Sequence, residues 1–440
     1  MSKRIGLVSL GCAKNLVNSE QMLYLLDEAG FEITGETENV DAVIVNTCGF
    51  IESAKMEAID TILELAQGKC QGKIGKIIVT GCLSQRYRDE LLQEMPEIDA
   101  IVGVGSFDQI VSVVNRTLNH ETVSAFSDIH HTNEEIGRVN TTSPAWAYIK
   151  IAEGCDNCCA YCVIPRIRGR FRSRPLENVV AEAERMANDG IKELIVVAQD
   201  ITRYGKDLYG KSALPELLRR LCAIEGFAWI RLHYLYPDEI TDELIDVIAE
   251  NDKILKYLDI PLQHIDDHIL KTMCRRGDSG QIRALLDRLR RRIPGLVLRT
   301  SLITGLPGEG EAEFEELCEF VREAKIQRTG VFAFSPEEGT PAYHMDFVDG
   351  ETAQRRAELI MDIQSEIMDD YNASRIGTVE KVLVEGFDGI YYYGRSYAES
   401  PDIDGRILFR AEDAPINDFV TVRITDCEDG EPIGERIDDP

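Results

Sequence analysis

The sequence has few basic residues for its number of acidic ones, and it contains no long apolar run. Lys and Arg number 48 against 77 Asp and Glu, which gives a formal net charge of −29. A surface of that sign repels a nucleic-acid backbone, unless a local basic patch overrides it, and attracts a basic partner. No stretch reaches about 18 consecutive apolar residues, so the sequence predicts no transmembrane helix.

An apolar signal segment is also missing, although the chain has 12 cysteines in 440 residues. Without export, cysteines in this number are expected to stay reduced and to serve metal chemistry. We therefore expect a cytoplasmic protein, and its length allows two or three domains.

Three cysteines, Cys155, Cys159 and Cys162, have the spacing Cys-x3-Cys-x2-Cys and directly follow the β-type run 148–151. Three thiolates on a short loop can bind a soft metal or a cluster, and a four-iron cluster normally has four thiolate ligands. The fourth ligand is missing here, and an iron without a protein ligand can bind a small molecule. Cys158 lies inside the spacing, but the three-residue gap from it to Cys162 is not followed by a cysteine at position 165, so we exclude it.

Two other interpretations of this loop are open. A tetrahedral zinc site needs a fourth ligand, and the nearest histidines, His130 and His131, lie well upstream of the loop. Four cysteines within eight residues could also form a disulfide knot, but the chain does not look secreted. We favour the cluster over both.

The first 118 or so residues alternate between strand-like and helical patterns, which predicts a small parallel sheet with helices on both faces. The predicted strands lie at 5–10, 42–46, 76–80 and 100–103. Cys12, Cys48 and Cys82 each lie one to two residues beyond a different strand. Because the carboxyl ends of parallel strands meet at one edge of a sheet, we expect these thiols to converge.

The alternation resumes on a larger scale between residue 147 and about residue 371. Strand-like runs lie at 147–152, 193–198, 228–232, 256–260, 296–303 and 329–334. Six such units predict a partial (β/α)6 barrel with its catalytic face at the carboxyl ends of the strands. The residues after these strands are candidate cofactor and substrate contacts, namely Gln199, Asp200, His233, Tyr234, Gln263, His264, Thr304 and Gly305.

Five arginines, at every second position from Arg166 to Arg174, follow the cysteine loop. If the segment is extended, their side chains share one face. Such a face could bind RNA phosphate, pair with local carboxylates or screen the charge of a cluster.

Beyond residue 377 short alternating runs at 379–385, 391–395, 405–409 and 419–424, with Gly-rich turns between them, predict a small β-barrel. Residues 375–440 contain seven basic and sixteen acidic side chains, a net charge of −9. Repulsion opposes RNA binding by such a barrel, and a basic protein is the better electrostatic partner. The predicted domains are therefore an α/β domain over 1–120, a polar linker over 121–143, the barrel domain over 144–374 and the β-barrel over 375–440.

The Cys-x3-Cys-x2-Cys spacing, with Tyr161 just before the last cysteine, resembles the radical S-adenosylmethionine (SAM) superfamily. The resemblance implies a four-iron cluster on the three cysteines of the loop, whose open iron binds SAM, and cleavage of SAM to an organic radical. It also implies that Gln199, after the second strand, meets the methionyl amine, and that Gly305, after the fifth, packs on adenine. From the residues alone, Gly305 could equally be a turn residue.

A three-cysteine domain ahead of a radical SAM domain is similar to the methylthiotransferases, in which Cys12, Cys48 and Cys82 would hold a second four-iron cluster. Residues 10–15 (Leu-Gly-Cys-Ala-Lys-Asn) and 46–51 (Asn-Thr-Cys-Gly-Phe-Ile) resemble the branch that modifies an aspartate of the twelfth small-subunit ribosomal protein at its β-carbon. The tRNA-modifying branches typically have Gln-Met-Asn after the first cysteine. The last barrel resembles the TRAM domain, which commonly binds RNA.

These resemblances imply an enzyme that attaches a methylthio group to an unactivated carbon, which acid–base catalysis cannot readily do and a radical cofactor can. They imply two 4Fe-4S clusters, SAM, a sulfur donor, an electron donor such as flavodoxin or ferredoxin, and a basic ribosomal protein as partner. Two alternatives are open: methylthiolation of an adenosine in tRNA, and a non-catalytic iron–sulfur or zinc protein.

Overall fold

The computed structural model describes residues 2–130, 135–428 and 430–438. The strands are β1 Arg4–Ser9, β2 Glu32–Thr34, β3 Ala42–Thr47, β4 Ile77–Gly81, β5 Ala100–Val102, β6 Val123–Ala125, β7 Trp146–Lys150, β8 Ala152–Glu153, β9 Arg172–Ser173, β10 Glu193–Val197, β11 Trp229–Leu232, β12 Ile254–Asp259, β13 Val297–Thr304, β14 Arg328–Ala333, β15 Val379–Phe387, β16 Tyr392–Arg395, β17 Ile407–Arg410, β18 Phe419–Glu428 and β19 Glu431–Ile437. The α-helices are α1 Ala13–Glu28, α2 Glu52–Cys70, α3 Cys82–Glu94, α4 Ile110–Leu118, α5 Ile164–Arg168, α6 Leu176–Asn188, α7 Lys206–Tyr209, α8 Leu214–Ala223, α9 Asp242–Glu250, α10 Asp267–Thr272, α11 Ser279–Arg292, α12 Glu311–Ala324 and α13 Gly350–Ser374. None of the helices in these ranges is long and apolar enough to cross a membrane.

The amino-terminal sheet is parallel throughout, with strand order β2-β1-β3-β4-β5-β6. This confirms the predicted parallel α/β domain and adds the short edge strands β2 and β6. Strand β6 lies where the sequence predicted a linker, so that prediction was wrong at Val123–Ala125. A strand of three residues is too short to show a period, and this domain extends to at least Ala125.

The central sheet is also parallel, in the order β14-β13-β12-β11-β10-β7. Each of its six strands lies within two residues of a predicted one, which confirms the partial barrel. Apolar side chains of one sheet face pack against the surrounding helices, as Leu194, Val196 and Ile230 do. The other face forms the interior of the half-barrel.

The carboxyl-terminal strands form a closed barrel in the order β15-β16-β17-β19-β18. The sequence predicted four of these five strands. Strand β19 was missed because its seven residues contain Pro432 and Gly434 and show no alternating apolar run.

Residues 396–404 of this barrel, between β16 and β17, reach into the interior of the central half-barrel. Arg231 Nη1 on β11 donates to the carbonyl oxygen of Tyr397 over 2.9 Å. Tyr257 on β12 donates from its hydroxyl to Asp404 Oδ2 over 2.6 Å. The segment therefore fills the half-barrel on the side away from the helices.

Buried ion pairs fix the third domain to the second. Glu193 on β10 accepts from Arg231 over 2.6 Å and from Arg395 of the barrel over 2.8 Å. The carboxylate is fully buried, and a buried charge is tolerated only when it is paired in this way. The carboxyl-terminal barrel is thus part of the same packed body as the central sheet.

Candidate active site

All six cysteines predicted as ligands line a single cavity of about 340 Å³ between the amino-terminal and central sheets. The other lining residues are Lys14, Phe50, Asn157, Tyr161, Ile164, Arg168, Gln199, Tyr234, Leu235, Tyr236, Pro261, Gln263, Arg275 and Ser301. Most of them follow the carboxyl ends of strands, which is where open α/β folds and β/α barrels bind their ligands. The two sheets therefore present these edges to each other across the cavity.

The first thiol set comes from three neighbouring strand ends, as predicted. Cys48 directly follows β3, Cys82 begins α3, and Cys12 precedes α1, three residues after β1 rather than the predicted one or two. Gly11 has φ +87°, and a Cβ atom there would lie 2.8 Å from the Cβ of Cys48. Glycine is required at this position because the two loops approach so closely.

These thiols are partly or fully buried, and cationic side chains lie beside them. Burial alone would raise the pKa of the Cys12 thiol, but the charges of Lys14 and Arg168 bring it below its usual value. Burial and the neighbouring Cys82 and Cys12 raise the pKa of Cys48 to about 11, and burial also raises the pKa of Cys82. The raised pKa values keep Cys48 and Cys82 protonated at neutral pH, whereas a bound metal would deprotonate them.

The second thiol set lies on the loop after β8. Burial raises the pKa of Cys155 to about 11, and burial with the neighbouring Cys159 raises the pKa of Cys162 well above its usual value. Arg275 Nη1 lies 3.7 Å from Cys159 Sγ, so one thiol of this set has a cation beside it. Cys158 is exposed and does not line the cavity.

Arg168 connects the two halves of the cavity. Its Nη2 atom donates to Asn15 Oδ1 over 2.8 Å and lies 3.4 Å from Cys82 Sγ. Its Nη1 atom donates to Glu153 Oε1 over 2.9 Å, and Gln199 Nε2 donates to the same oxygen over 2.8 Å. Although burial opposes it, Arg168 and Lys150 hold the pKa of the Glu153 carboxyl far below its usual range.

The condition for a shared face of the alternating arginines is not met, because the segment is not extended throughout: α5 makes the start of the run helical. Arg168 is buried, Arg170 is 78% exposed, and Arg174 is paired with Glu182 over 2.6 Å. Three of the five arginines have a carboxylate partner nearby, as one of the sequence alternatives proposed.

Gln199 and Asp200 have different surroundings. Gln199 lines the cavity, and its Oε1 atom is buried without a hydrogen-bond partner among the described residues. Asp200 is buried outside the cavity, where it accepts from Asn157 Nδ2 over 2.8 Å and from the backbone N–H of Thr202 over 3.0 Å. The carboxylate therefore shapes the loop, while the amide oxygen of Gln199 lacks a donor.

The structure does not bring Thr304 and Gly305 into the cavity. Thr304 Oγ1 donates to the carbonyl oxygen of Ala353 over 2.8 Å. Gly305 has φ +75°, and a Cβ atom there would lie 2.4 Å from the Cβ of Ala353. Both residues pack against α13, and the residue of β13 that lines the cavity is Ser301.

Two of the remaining strand-end candidates line the cavity, Tyr234 and Gln263, and both have positive φ, +64° and +73°. Such strained backbone in non-glycine residues is concentrated at functional sites. His233 and His264 do not line the cavity. His233 Nε2 lies 2.9 Å from Ser400 Oγ, and His264 Nε2 lies 3.3 Å from Glu309.

Sequence reasoning missed several polar residues of the cavity. Arg275 donates to the carbonyl oxygen of Pro261 over 2.5 Å and stacks on the ring of Tyr236 at 4.3 Å. Lys14 was not predicted to line the site, although its position two residues after Cys12 is a usable signal. The spacing of Arg275 and Lys14 does not reveal their contacts with Cys159 and Tyr234, which are distant in sequence.

The donor set fits iron–sulfur clusters better than zinc. Among the described residues, no three His, Cys, Asp or Glu side chains are arranged to hold a single metal ion. A four-iron cluster spreads its thiolate ligands around a larger body, which suits two sets of three thiols around a wide cavity. His130 lies in an exposed loop, and His131 lies outside the described residues.

Three family matches cover most of the chain. Residues 4–103 match the family described as Uncharacterized protein family UPF0004, residues 149–321 match the Radical SAM superfamily, and residues 376–437 match the TRAM domain. The fold and the site therefore define the protein as a radical SAM enzyme.

Relatives that are similar over the full length show which family of radical SAM enzymes the chain belongs to. A protein of Acetivibrio thermocellus named ribosomal protein uS12 methylthiotransferase RimO is 50% identical over 100% of this chain and 99% of its own length. Proteins of the same name from Lachnoclostridium phytofermentans and Geobacter sulfurreducens are each 48% identical, over 98% and 99% of this chain and 99% of their own lengths. The chain belongs to the RimO family of methylthiotransferases, and its cofactors are 4Fe-4S clusters and SAM.

Solved structures agree with this fold. The radical SAM methyltransferase TsrM from Kitasatospora setae, solved with cobalamin and a [4Fe-4S] cluster, matches 88% of this chain and 82% of its own with a TM-score of 0.58 at 14% identity. The cobalamin-dependent SAM radical enzyme OxsB matches 82% of this chain and 56% of its own with a TM-score of 0.51 at 12% identity. At these identities the likeness concerns the fold alone.

Proposed function

We propose that this enzyme transfers a methylthio group to the β-carbon of an aspartate in the ribosomal protein uS12, in the cytoplasm. The observation that carries the proposal is that both cysteine sets line one cavity. A carbon atom placed there lies within reach of both sets, so activation of a C–H bond and formation of a C–S bond can share one site. The proposed substrate, uS12, is the one in the names of the full-length relatives.

Each cysteine set has one role in this proposal. Cys155, Cys159 and Cys162 hold the cluster that binds SAM, and Cys12, Cys48 and Cys82 hold the cluster that carries the sulfur. When bound, the first cluster and SAM supply the radical chemistry that an unactivated C–H bond requires. The surrounding protein places positive charge beside both thiol sets.

Gln199 has the surroundings expected of a contact to SAM. Its buried Oε1 atom lacks a donor, and the ammonium group of the methionyl moiety would supply one. Its Nε2 atom is held by Glu153, which in turn is held by Arg168, so the amide is fixed in orientation.

The net charge of −29 favours a basic protein as the substrate. A sulfur donor and a small electron-transfer protein such as flavodoxin or ferredoxin complete the requirements of the reaction.

The proposal is tested by mass spectrometry of uS12 from cells with and without this gene. We expect one added methylthio group, localised to an aspartate, only in cells with the gene. Unmodified uS12 together with methylthio-adenosine in tRNA would replace this function by the tRNA reaction.

Replacing Cys48 with alanine should separate the two proposed roles. We expect the variant to cleave SAM at near the wild-type rate, because the second cysteine set is intact, and to form no methylthiolated uS12. Anaerobic assays of 5′-deoxyadenosine and of modified uS12 measure both activities. Cys70→Ala, at an exposed cysteine, is the matched control and should retain both. Loss of SAM cleavage in Cys48→Ala would contradict the division of roles.

Replacing Gln199 with alanine should weaken SAM binding about 10-fold, the cost of one hydrogen bond to a charged group. Iron content should not change, since Gln199 is not a ligand. Asp200→Asn is the neighbouring control, because Asp200 lies outside the cavity and should affect stability more than the SAM dissociation constant. Equal SAM affinities for Gln199→Ala and wild type would remove Gln199 from the site.

A further inference from the structure

The charge of the cavity lining is opposite in sign to that of the protein as a whole. Its lining residues include three cations, Lys14, Arg168 and Arg275, and within the described part of the chain no Asp or Glu side chain lines it. A cavity of this kind in a protein with a net charge of −29 favours anionic occupants.

Two of the three cations are already engaged by the protein. Arg168 is bound to Glu153 and Asn15 and contacts Cys82. Arg275 donates to the carbonyl oxygen of Pro261 and contacts Cys159. Each guanidinium is thereby held beside one thiol set, where its charge offsets that of a bound cluster.

Lys14 differs from both arginines. Its side chain is 7% exposed and forms no ion pair with any carboxylate of the described residues. Its Nζ atom lies 3.5 Å from the centroid of the Tyr234 ring, which belongs to the central domain. A cation–π contact offsets only part of the cost of burying an ammonium group, and no carboxylate of the described residues offsets the rest.

The proposed substrate supplies an anion at this place. In an aspartate side chain the carboxylate is bonded directly to the β-carbon, so a β-carbon that reacts inside the cavity brings its carboxylate into the cavity as well. SAM also carries a carboxylate, but Lys14 follows Cys12 on the amino-terminal domain, whereas SAM is assigned to the cluster of Cys155, Cys159 and Cys162.

We propose that Lys14 binds the carboxylate of the substrate aspartate and selects aspartate as the residue that is modified. This inference rests on the proposed function. An adenosine has no carboxylate for a lysine to bind.

The test compares two forms of uS12, one with the natural aspartate at the modified position and one with asparagine there. Binding of each form to the enzyme with both clusters loaded is measured by anaerobic calorimetry, and product is measured by mass spectrometry. For the wild-type enzyme we expect the aspartate form to bind on the order of 100-fold more tightly, the effect of a buried charge pair. For Lys14→Met we expect the ratio of the two dissociation constants to approach one.

Two further variants control this comparison. Lys14→Arg keeps the charge and should keep most of the ratio, and Lys73→Met, at an exposed lysine of the same domain, should leave it unchanged. Three measurements distinguish binding of the substrate carboxylate by Lys14 from screening of the cluster charge. They are the iron content, the electron paramagnetic resonance spectrum and the rate of SAM cleavage without uS12. If Lys14 only screens the cluster, Lys14→Met will change the spectrum and leave the ratio at the wild-type value.

The outcomes separate this inference from the proposed function. Methylthiolation of uS12 by wild type, with an unchanged ratio in Lys14→Met, overturns the role of Lys14 alone. Absence of uS12 binding and of modified uS12 with the wild-type enzyme overturns both.

Discussion

Replacing Cys159 with alanine should abolish reductive cleavage of SAM and lower the iron content from about eight to about four atoms per chain. Cys159 is buried in the lining of the cavity, with Arg275 beside its sulfur, and no other thiol of the described residues on this loop can replace it there. Loss of one of three ligands leaves a cluster with two open irons. The measurements are iron analysis and anaerobic assay of 5′-deoxyadenosine.

The adjacent Cys158 provides the control. It is exposed and does not line the cavity, so Cys158→Ala should keep full iron content and full SAM cleavage. Normal 5′-deoxyadenosine formation by Cys159→Ala would contradict the assignment of the radical SAM cluster. The same loss in both variants would show that the loop as a whole, rather than one ligand, had been damaged.

Replacing Glu399 with glutamine should lower the free energy of unfolding by about 3–5 kcal/mol, the usual cost of removing one partner from a buried ion pair. Glu399 is 1% exposed and accepts from Arg328 over 3.0 Å and from Arg375 over 2.5 Å. The substitution leaves the buried guanidinium of Arg328 without a carboxylate and leaves Arg375 with Glu380 alone. Urea unfolding under anaerobic conditions measures the change, and Glu412→Gln on the exposed surface of the same barrel should alter it little.

The same carboxylate makes stability depend on pH. Burial alone would raise the pKa of Glu399, but Arg375 and Arg328 lower it from 4.5 to about 2. The unfolded chain therefore binds a proton before the folded protein does, and stability is lost as the pH falls from about 4.5 towards 2. The contribution is about 3 kcal/mol, and Glu399→Gln should lack it. Parallel acid unfolding curves for the two proteins would contradict this account.

The sequence was sufficient for features that repeat along the chain. Six buried strands separated by amphipathic helices have a periodic signal, and each was located to within two residues. The convergence of Cys12, Cys48 and Cys82 followed from strand ends alone, because parallel strands must place those ends at one edge. Short elements such as β6 and β19 carry too little pattern to be recognised.

Contacts between domains could not be predicted in the same way. No local pattern shows that Lys14 lies over Tyr234, 220 positions later, or that Arg168 contacts Cys82. The alternation of the arginine run suggested an extended segment, but Pro165 begins a helical turn that buries Arg168 and leaves Arg170 in solvent. Thr304 and Gly305 follow the expected strand and yet pack against α13, because that helix covers the end of β13.

The segment 396–404 has a consequence for how this enzyme can be altered. Its backbone and side chains bind Arg231 and Tyr257, which are residues of the catalytic half-barrel rather than of the domain that carries the segment. Consider a chimera in which the carboxyl-terminal barrel comes from a distant homologue. It must also carry that homologue's residues at the positions of Arg231 and Tyr257, which contact this nine-residue segment. Substitutions in segment 396–404 of the third domain therefore require matching substitutions at its contact residues inside the half-barrel of the second domain.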